Sequence, residues 1–193
     1  MDRGAKLFWT LIVALALASV FFGVSAELGR RAVQQAAGAT LVTGDLVRLV
    51  TVVDGDTVVV AKGNDTATVR IVGIKAFSPE TGRDAAGGFG QTAVEAVRRI
   101  LGDKPVRVLM HGTKTDTTDR HLASLYVDGE DVAVRLISDG AVLVYTVYPF
   151  PSMAAYTAEQ ERARAAQRGI WSNPAAAARA DLLTKEWRTE VSP

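Results

Sequence analysis

The sequence predicts an α+β chain that is mainly β: a five-stranded barrel of the OB type with about three helices, preceded by one N-terminal transmembrane helix. Three observations predict it. From Asp45 onward, short valine-rich runs are broken by turn residues, which is the pattern of strands. Between and after these runs lie stretches whose apolar residues recur at helical spacing. Ahead of them, residues 7–24 (LFWTLIVALALASVFFGV) carry no charge over 18 positions.

The runs LVRLVTVV (46–53), TVVVAK (57–62) and ATVRIVGI (67–74) are separated by Asp-Gly-Asp and Gly-Asn-Asp, so they read as a meander. A glycine-rich loop covers Ser78–Gly90. QTAVEAVRRIL (91–101) follows, with Ala93, Val94, Val97, Ile100 and Leu101 on one helical face. PVRVLMH (105–111) and HLASLYV (121–127) supply two further strands, and DVAVRLISDG is a helix ended by Gly140. AEQERARAAQRG (158–169) is another helix, and Pro174 opens a last amphipathic piece to about Glu190. Five strands interleaved with helices at this length fit a partly open barrel. Trp171 is expected to close the domain, leaving the segment after Pro174 as an appendage available to a partner. The chain thus divides into an anchor (1–26), a helical stalk or linker (27–44), the barrel domain (45–173) and a C-terminal helical tail (174–193).

Composition narrows the functional classes. The chain has 193 residues, and setting the apolar stretch aside leaves about 150, enough for one ordinary core. Formal net charge is +1, but residues 1–31 hold four Lys/Arg and two acids, so the remainder carries 18 basic against 19 acidic groups. Strong non-specific binding of nucleic acid needs a basic excess that this balance lacks, although a local basic pocket is compatible with it. There is no cysteine, which excludes disulfides, thiolate metal sites and a cysteine nucleophile.

Residues 7–24 are long enough to approach the bilayer's hydrocarbon thickness, and signal-peptide cores usually run only about 7–15 residues. The expectation is a single-pass membrane protein held by an uncleaved anchor. The alternative is secretion after cleavage near Ala26, because Val24-Ser25-Ala26 has the small-residue pattern of a cleavage site. Arg3 and Lys6 before the segment and Arg30 and Arg31 after it leave the orientation open.

Between Asp54 and Trp171 the chain resembles the staphylococcal-nuclease, or thermonuclease, family. The resemblance is carried by VVDGDTVVV, VRIVGI, the SPE tripeptide, GFGQTA, TDTTDRHLASLYVDGEDV, LISDGAVLVYTVY and RGIW, in that order. It implies an OB-type barrel with three helices and calcium-dependent cleavage of phosphodiester bonds. Hard cations take oxygen ligands, so the metal would be held mainly by carboxylates, while a glutamate acts on water and two arginines stabilise charge on the phosphoryl oxygens. The implied positions are Asp56 as metal carboxylate, Arg70 and Arg120 as phosphate-binding arginines, Glu80 as base and Asp116 as support.

The chain departs from the family pattern at Lys75, where a second metal-binding aspartate belongs: VRIVGIKAFSPE stands in place of roughly VRLVGIDTPE, and Glu80 falls two residues late. At an effective dielectric near 20, each unit charge pair at 4 Å is worth about 4 kcal/mol, so exchanging a carboxylate for an ammonium beside a dication is severe. The Lys75 ammonium is expected to approach Asp56 as a built-in cation. The expected function is a membrane-anchored, catalytically inactive nuclease-like domain, a pseudoenzyme acting as an accessory subunit of a membrane assembly, with no cofactor. Its expected partners are the bilayer, through residues 7–24, and other membrane proteins. The alternative is an active calcium-dependent nuclease acting on DNA or RNA. His111 and His121 lack zinc spacing and read as structural or exposed. Tyr145, Tyr148, Phe150 and Trp171 read as core or barrel-mouth aromatics rather than a base-stacking platform.

Overall fold

The computed structural model describes residues 38–79, 86–116 and 118–191. The predicted anchor lies outside them, and no helix among the described residues is long and apolar enough to cross a membrane.

Strands β1 (Leu46–Asp54), β2 (Thr57–Lys62) and β3 (Asp65–Ile71) form the predicted antiparallel meander. Strand β5 (Val106–Thr115) pairs antiparallel with β1 and with β6 (His121–Val127). Closure comes from a parallel pairing of β3 with β6, at Val69↔His121, Arg70↔Leu122 and Ile71↔Ala123. A five-stranded barrel results, and closing it removes the free edges that an open meander would leave. Two register shifts in the β1–β2 ladder, between Leu49 and Thr51 and between Val52 and Asp54, let β1 bend to serve both neighbours.

One valine-rich run does not continue as a single strand. At Gly73, where φ is +80°, the chain turns out of the barrel. The next two residues, β4 (Ile74–Lys75), pair instead with β8 (Leu143–Val144). The predicted strand 67–74 is therefore two elements, and Lys75 sits on the short outlying one. Strand β7 (Glu130–Asp131) extends the sheet by two residues beside β6.

Helix α1 (Gly87–Leu101) buries all five residues of the predicted apolar face, Ala93, Val94, Val97, Ile100 and Leu101, against the barrel. It begins four residues before Gln91, so the glycine-rich loop is shorter than predicted. Helix α2 (Val132–Ser138) starts at Asp131, whose Oδ1 accepts the N–H of Ala133 at 2.9 Å. The other oxygen of Asp131 accepts from the hydroxyl of Tyr156 at 2.7 Å, tying down helix α3 (Met153–Ala165). A 3₁₀ turn (Gly169–Ser172) follows. There the predicted LISDGAVL and RGIW blocks meet: a Cβ on Gly140 would lie 2.2 Å from the carbonyl oxygen of Arg168, so only glycine fits.

Two expectations about the domain's ends are corrected. Residues 38–44 are not part of a stalk. Ala39 and Leu41 are buried in the barrel core, and the N–H of Ala39 bonds the carbonyl of Thr66 at 3.1 Å. The reason is alternation, since Thr40 and Val42 between and after them face outward.

The C-terminal segment is likewise no appendage. Helix α4 (Pro174–Val191) buries Ala176, Ala180 and Trp187 in a second core with Phe77, Leu143, Ile170 and Trp171. Asn173 Oδ1 accepts the N–H groups of Ala175 and Ala176, which caps the helix, and proline suits its first position. Asp181 takes both terminal nitrogens of Arg164, at 2.6 and 2.9 Å, pinning α4 to α3.

Candidate functional site

The site starts at the turn between β1 and β2. A Cβ on Gly55 would lie 2.4 Å from the Cβ of Ala93 and 2.6 Å from that of Ala76, so the turn is pressed between α1 and the chain leaving β4. Asp56 is consequently 1% exposed. Its N–H donates to Asp54 Oδ1 at 2.9 Å and its carbonyl accepts the N–H of Ile71 at 2.8 Å.

A buried carboxylate must be compensated, and this one is met on both oxygens. Oδ1 accepts the hydroxyl of Thr57 at 3.1 Å and contacts Nη1 of Arg70. Oδ2 accepts the N–H of Ala76 at 2.8 Å and has Nζ of Lys75 at 3.8 Å. The approach of Lys75 to Asp56 expected from the sequence is therefore present.

Register places Arg70, because β3 pairs with β2 so that Arg70 stands opposite Thr57. Its Nη2 donates to the carbonyl of Ile74 at 3.0 Å, which also fixes the exit into β4. Burial pushes the Arg70 pKa down to about 10, with Asp54 opposing the shift and Arg120 adding to it, so the guanidinium stays charged at neutral pH. The Lys75 ammonium is shifted down in the same way, first by burial and then by Arg70, against the pull of Asp54.

Asp116 and Arg120 form the second half of the site in the bend between β5 and β6. Asp116 Oδ2 accepts from Nε and Nη2 of Arg120 at 2.8 and 2.7 Å. Its Oδ1 accepts the N–H and hydroxyl of Thr118 and the N–H of Arg120. Burial works to raise the Asp116 pKa, but the bonds from Arg120 and Thr118 prevail and hold it well below the usual carboxylate range.

Arg70, Lys75, Asp116 and Arg120 border one cleft of about 810 Å³. Tyr145, Tyr148, Phe150 and Trp187 form its apolar side, and His111 lines it while bonding Ser124 Oγ at 2.9 Å. Glu80, the expected base, lies outside the described residues. Of the aromatics read as core or mouth, Trp171 is buried away from the cleft, beneath the guanidinium of Arg164 at 5.1 Å, whereas Tyr148 is 70% exposed. Trp187 was not singled out from the sequence. Its spacing from Ala176, Ala180 and Leu183 is helical, but spacing does not say which cleft a helix reaches.

Among the described residues, the groups at this site do not fit a divalent cation. Asp56 already accepts a guanidinium, a hydroxyl and a backbone N–H, and the group next to it is an ammonium. Asp116 is saturated by Arg120 and Thr118. Among the described residues no cluster of three or more His, Cys, Asp or Glu side chains could hold a metal. With Asp54, which acts on both Arg70 and Lys75, three carboxylates balance three cations across the region, but the described lining of the cleft has Arg70, Lys75 and Arg120 against the single carboxylate of Asp116, which suits an anion.

The family described as staphylococcal nuclease homologue matches residues 68–173. This chain belongs to the staphylococcal nuclease family. An uncharacterized endonuclease of Escherichia coli O157:H7 is 30% identical over 127 residues, covering 65% of this chain and 76% of that protein. A second uncharacterized endonuclease, from Escherichia coli, matches to the same extent. A thermonuclease of Staphylococcus hyicus is 24% identical over 142 residues, covering 72% of this chain and 83% of that protein. The stretch matched by the staphylococcal nuclease family contains Arg70, Lys75, Asp116 and Arg120, while Asp56 precedes it and Trp187 follows it.

Proposed function

We propose that this chain is a membrane-anchored staphylococcal-nuclease domain whose cleft binds a phosphate-bearing ligand without metal and without cleaving it. On this reading it serves as an interaction or accessory subunit of a membrane protein assembly. The observation that carries the proposal is Lys75 Nζ standing 3.8 Å from a buried Asp56 whose other oxygen meets Arg70. Lys75 supplies in permanent form the charge compensation that a metal would otherwise bring. Arg120, oriented by Asp116, and Lys75, half exposed, present donors to phosphoryl oxygens. The near-neutral domain and the 18 uncharged residues at 7–24 support an anchored role over a freely diffusing nuclease.

A second reading, an active calcium-dependent phosphodiesterase, is favoured by Asp56, Arg70 and Arg120 sharing one region as in a nuclease site, and by relatives named endonuclease and thermonuclease. The deciding experiment incubates the full chain, in mild detergent, with single-stranded DNA and RNA with and without calcium. The first reading expects binding without cleavage in both conditions. Calcium-dependent cleavage that disappears in Arg120→Gln would establish the second.

A further inference from the structure

The stretch matched by the family ends at residue 173, yet helix α4, beginning at Pro174, returns a side chain to the cleft. Trp187 lines the cleft and meets Tyr145 edge-on, with ring centroids 5.0 Å apart and planes at 81°. Tyr145 in turn lies 6.2 Å from the exposed ring of Tyr148. Edge-to-face contact of this kind holds a ring at a set angle as well as burying area. The helix that delivers Trp187 is itself fixed, by fully buried Ala176 and Ala180 and by the two-pronged Arg164–Asp181 pair.

The size of the cleft adds a second argument. At about 810 Å³ it is far larger than a phosphate group, and clefts of this size normally take a whole small molecule with an apolar body and a few polar anchors. The cations Lys75 and Arg120 provide the anchors, and the exposed ring of Tyr148, backed by Tyr145 and the buried Trp187, provides a surface for a flat body. Water on such a surface is readily replaced by a stacked ring.

We propose that Trp187 is a specificity-determining residue: by holding Tyr145, and through it the Tyr148 side of the cleft, it makes the cleft select a phosphate-bearing ligand that also carries an aromatic ring. The ligand class is a nucleotide or the end of a single strand. This inference rests on the phosphate-binding reading above and adds a helix outside the matched stretch to the binding unit.

The test uses the full chain in mild detergent and titration calorimetry with two probes, a deoxynucleoside 5′-monophosphate and deoxyribose 5-phosphate, which has the same single phosphate and lacks the ring. The unsubstituted chain should bind the nucleotide at least about tenfold more tightly. Trp187→Leu, which keeps bulk but loses the ring, should reduce that preference to about threefold or less while leaving deoxyribose 5-phosphate affinity unchanged. Should its circular dichroism or melting curve reveal an undocked helix, Trp187→Phe takes its place and must give an intermediate preference. A preference that survives the substitution, or equal weakening of both probes, would overturn the proposal and leave Trp187 a packing residue. Failure of both probes to bind the unsubstituted chain would instead overturn the phosphate-binding reading, and the inference with it.

Discussion

Nζ of Lys75 stands 3.8 Å from Oδ2 of Asp56, a carboxylate that is 1% exposed and already in contact with Arg70 on its other oxygen. The two cations do different work. Arg70 is inside with Asp56, whereas the Lys75 side chain is 46% exposed and screened by solvent.

That asymmetry predicts unequal costs. Asp56→Asn leaves a buried guanidinium uncompensated and should lower stability by about 3–5 kcal/mol. Lys75→Met should cost less than about 1 kcal/mol, as partly exposed pairs do. Urea unfolding of both variants, with the slope unchanged, measures the difference. Equal losses would mean that Lys75 is as structural as Arg70.

Acid sensitivity should trace to Asp116. Its folded pKa is depressed below its unfolded value, so its contribution is fully present above the unfolded carboxylate range and is lost as pH falls through the folded value. Asp116→Asn should flatten the acid limb of a stability-versus-pH curve and cost about 1.5–3 kcal/mol at neutral pH, the usual worth of hydrogen bonds to a charged group. An acid limb unchanged in this variant would assign the sensitivity to other carboxylates.

Gly55→Ala should be disruptive although alanine is the smallest addition. Its Cβ would meet Ala93 at 2.4 Å and Ala76 at 2.6 Å, so α1 or the Ala76 segment must move. Overpacking of this kind costs about 1–3 kcal/mol, and it would also draw the Ala76 N–H from Asp56. Thermal unfolding checks the first consequence, and phosphate titration checks the second.

Removal of residues 175–193 should cost several kcal/mol, because Ala176, Ala180 and Trp187 belong to the second core, and loss of a buried tryptophan alone is worth about 3–5 kcal/mol. An appendage, as the sequence predicts for the segment after Pro174, would be lost with nearly no change in stability. A truncated chain with an unchanged melting temperature would restore the appendage view.

Much of the barrel was legible because its signals are local. The bounds of β2 coincide with TVVVAK, and the five α1 residues picked by spacing are all buried. What was missed depended on contacts distant in sequence. The valine-rich run through Gly73 gave no sign that Ile74 and Lys75 would pair with Leu143 and Val144. An alanine-rich amphipathic helix reads the same whether it is free or docked, so the burial of Trp187 against Tyr145 could not be seen. Motif order did identify the family and the Asp56–Lys75 approach, because the family pattern carries long-range geometry that periodicity lacks.

The most direct test of the account is calcium titration of the full chain's melting temperature in mild detergent, beside Lys75→Asp. A ligand stabilises a fold only by binding its native state. Because Lys75 and Arg70 already compensate Asp56, the melting temperature of the unsubstituted chain should stay constant up to millimolar calcium, while that of Lys75→Asp should rise. A rise in the unsubstituted chain at micromolar calcium would contradict the account and favour the active nuclease.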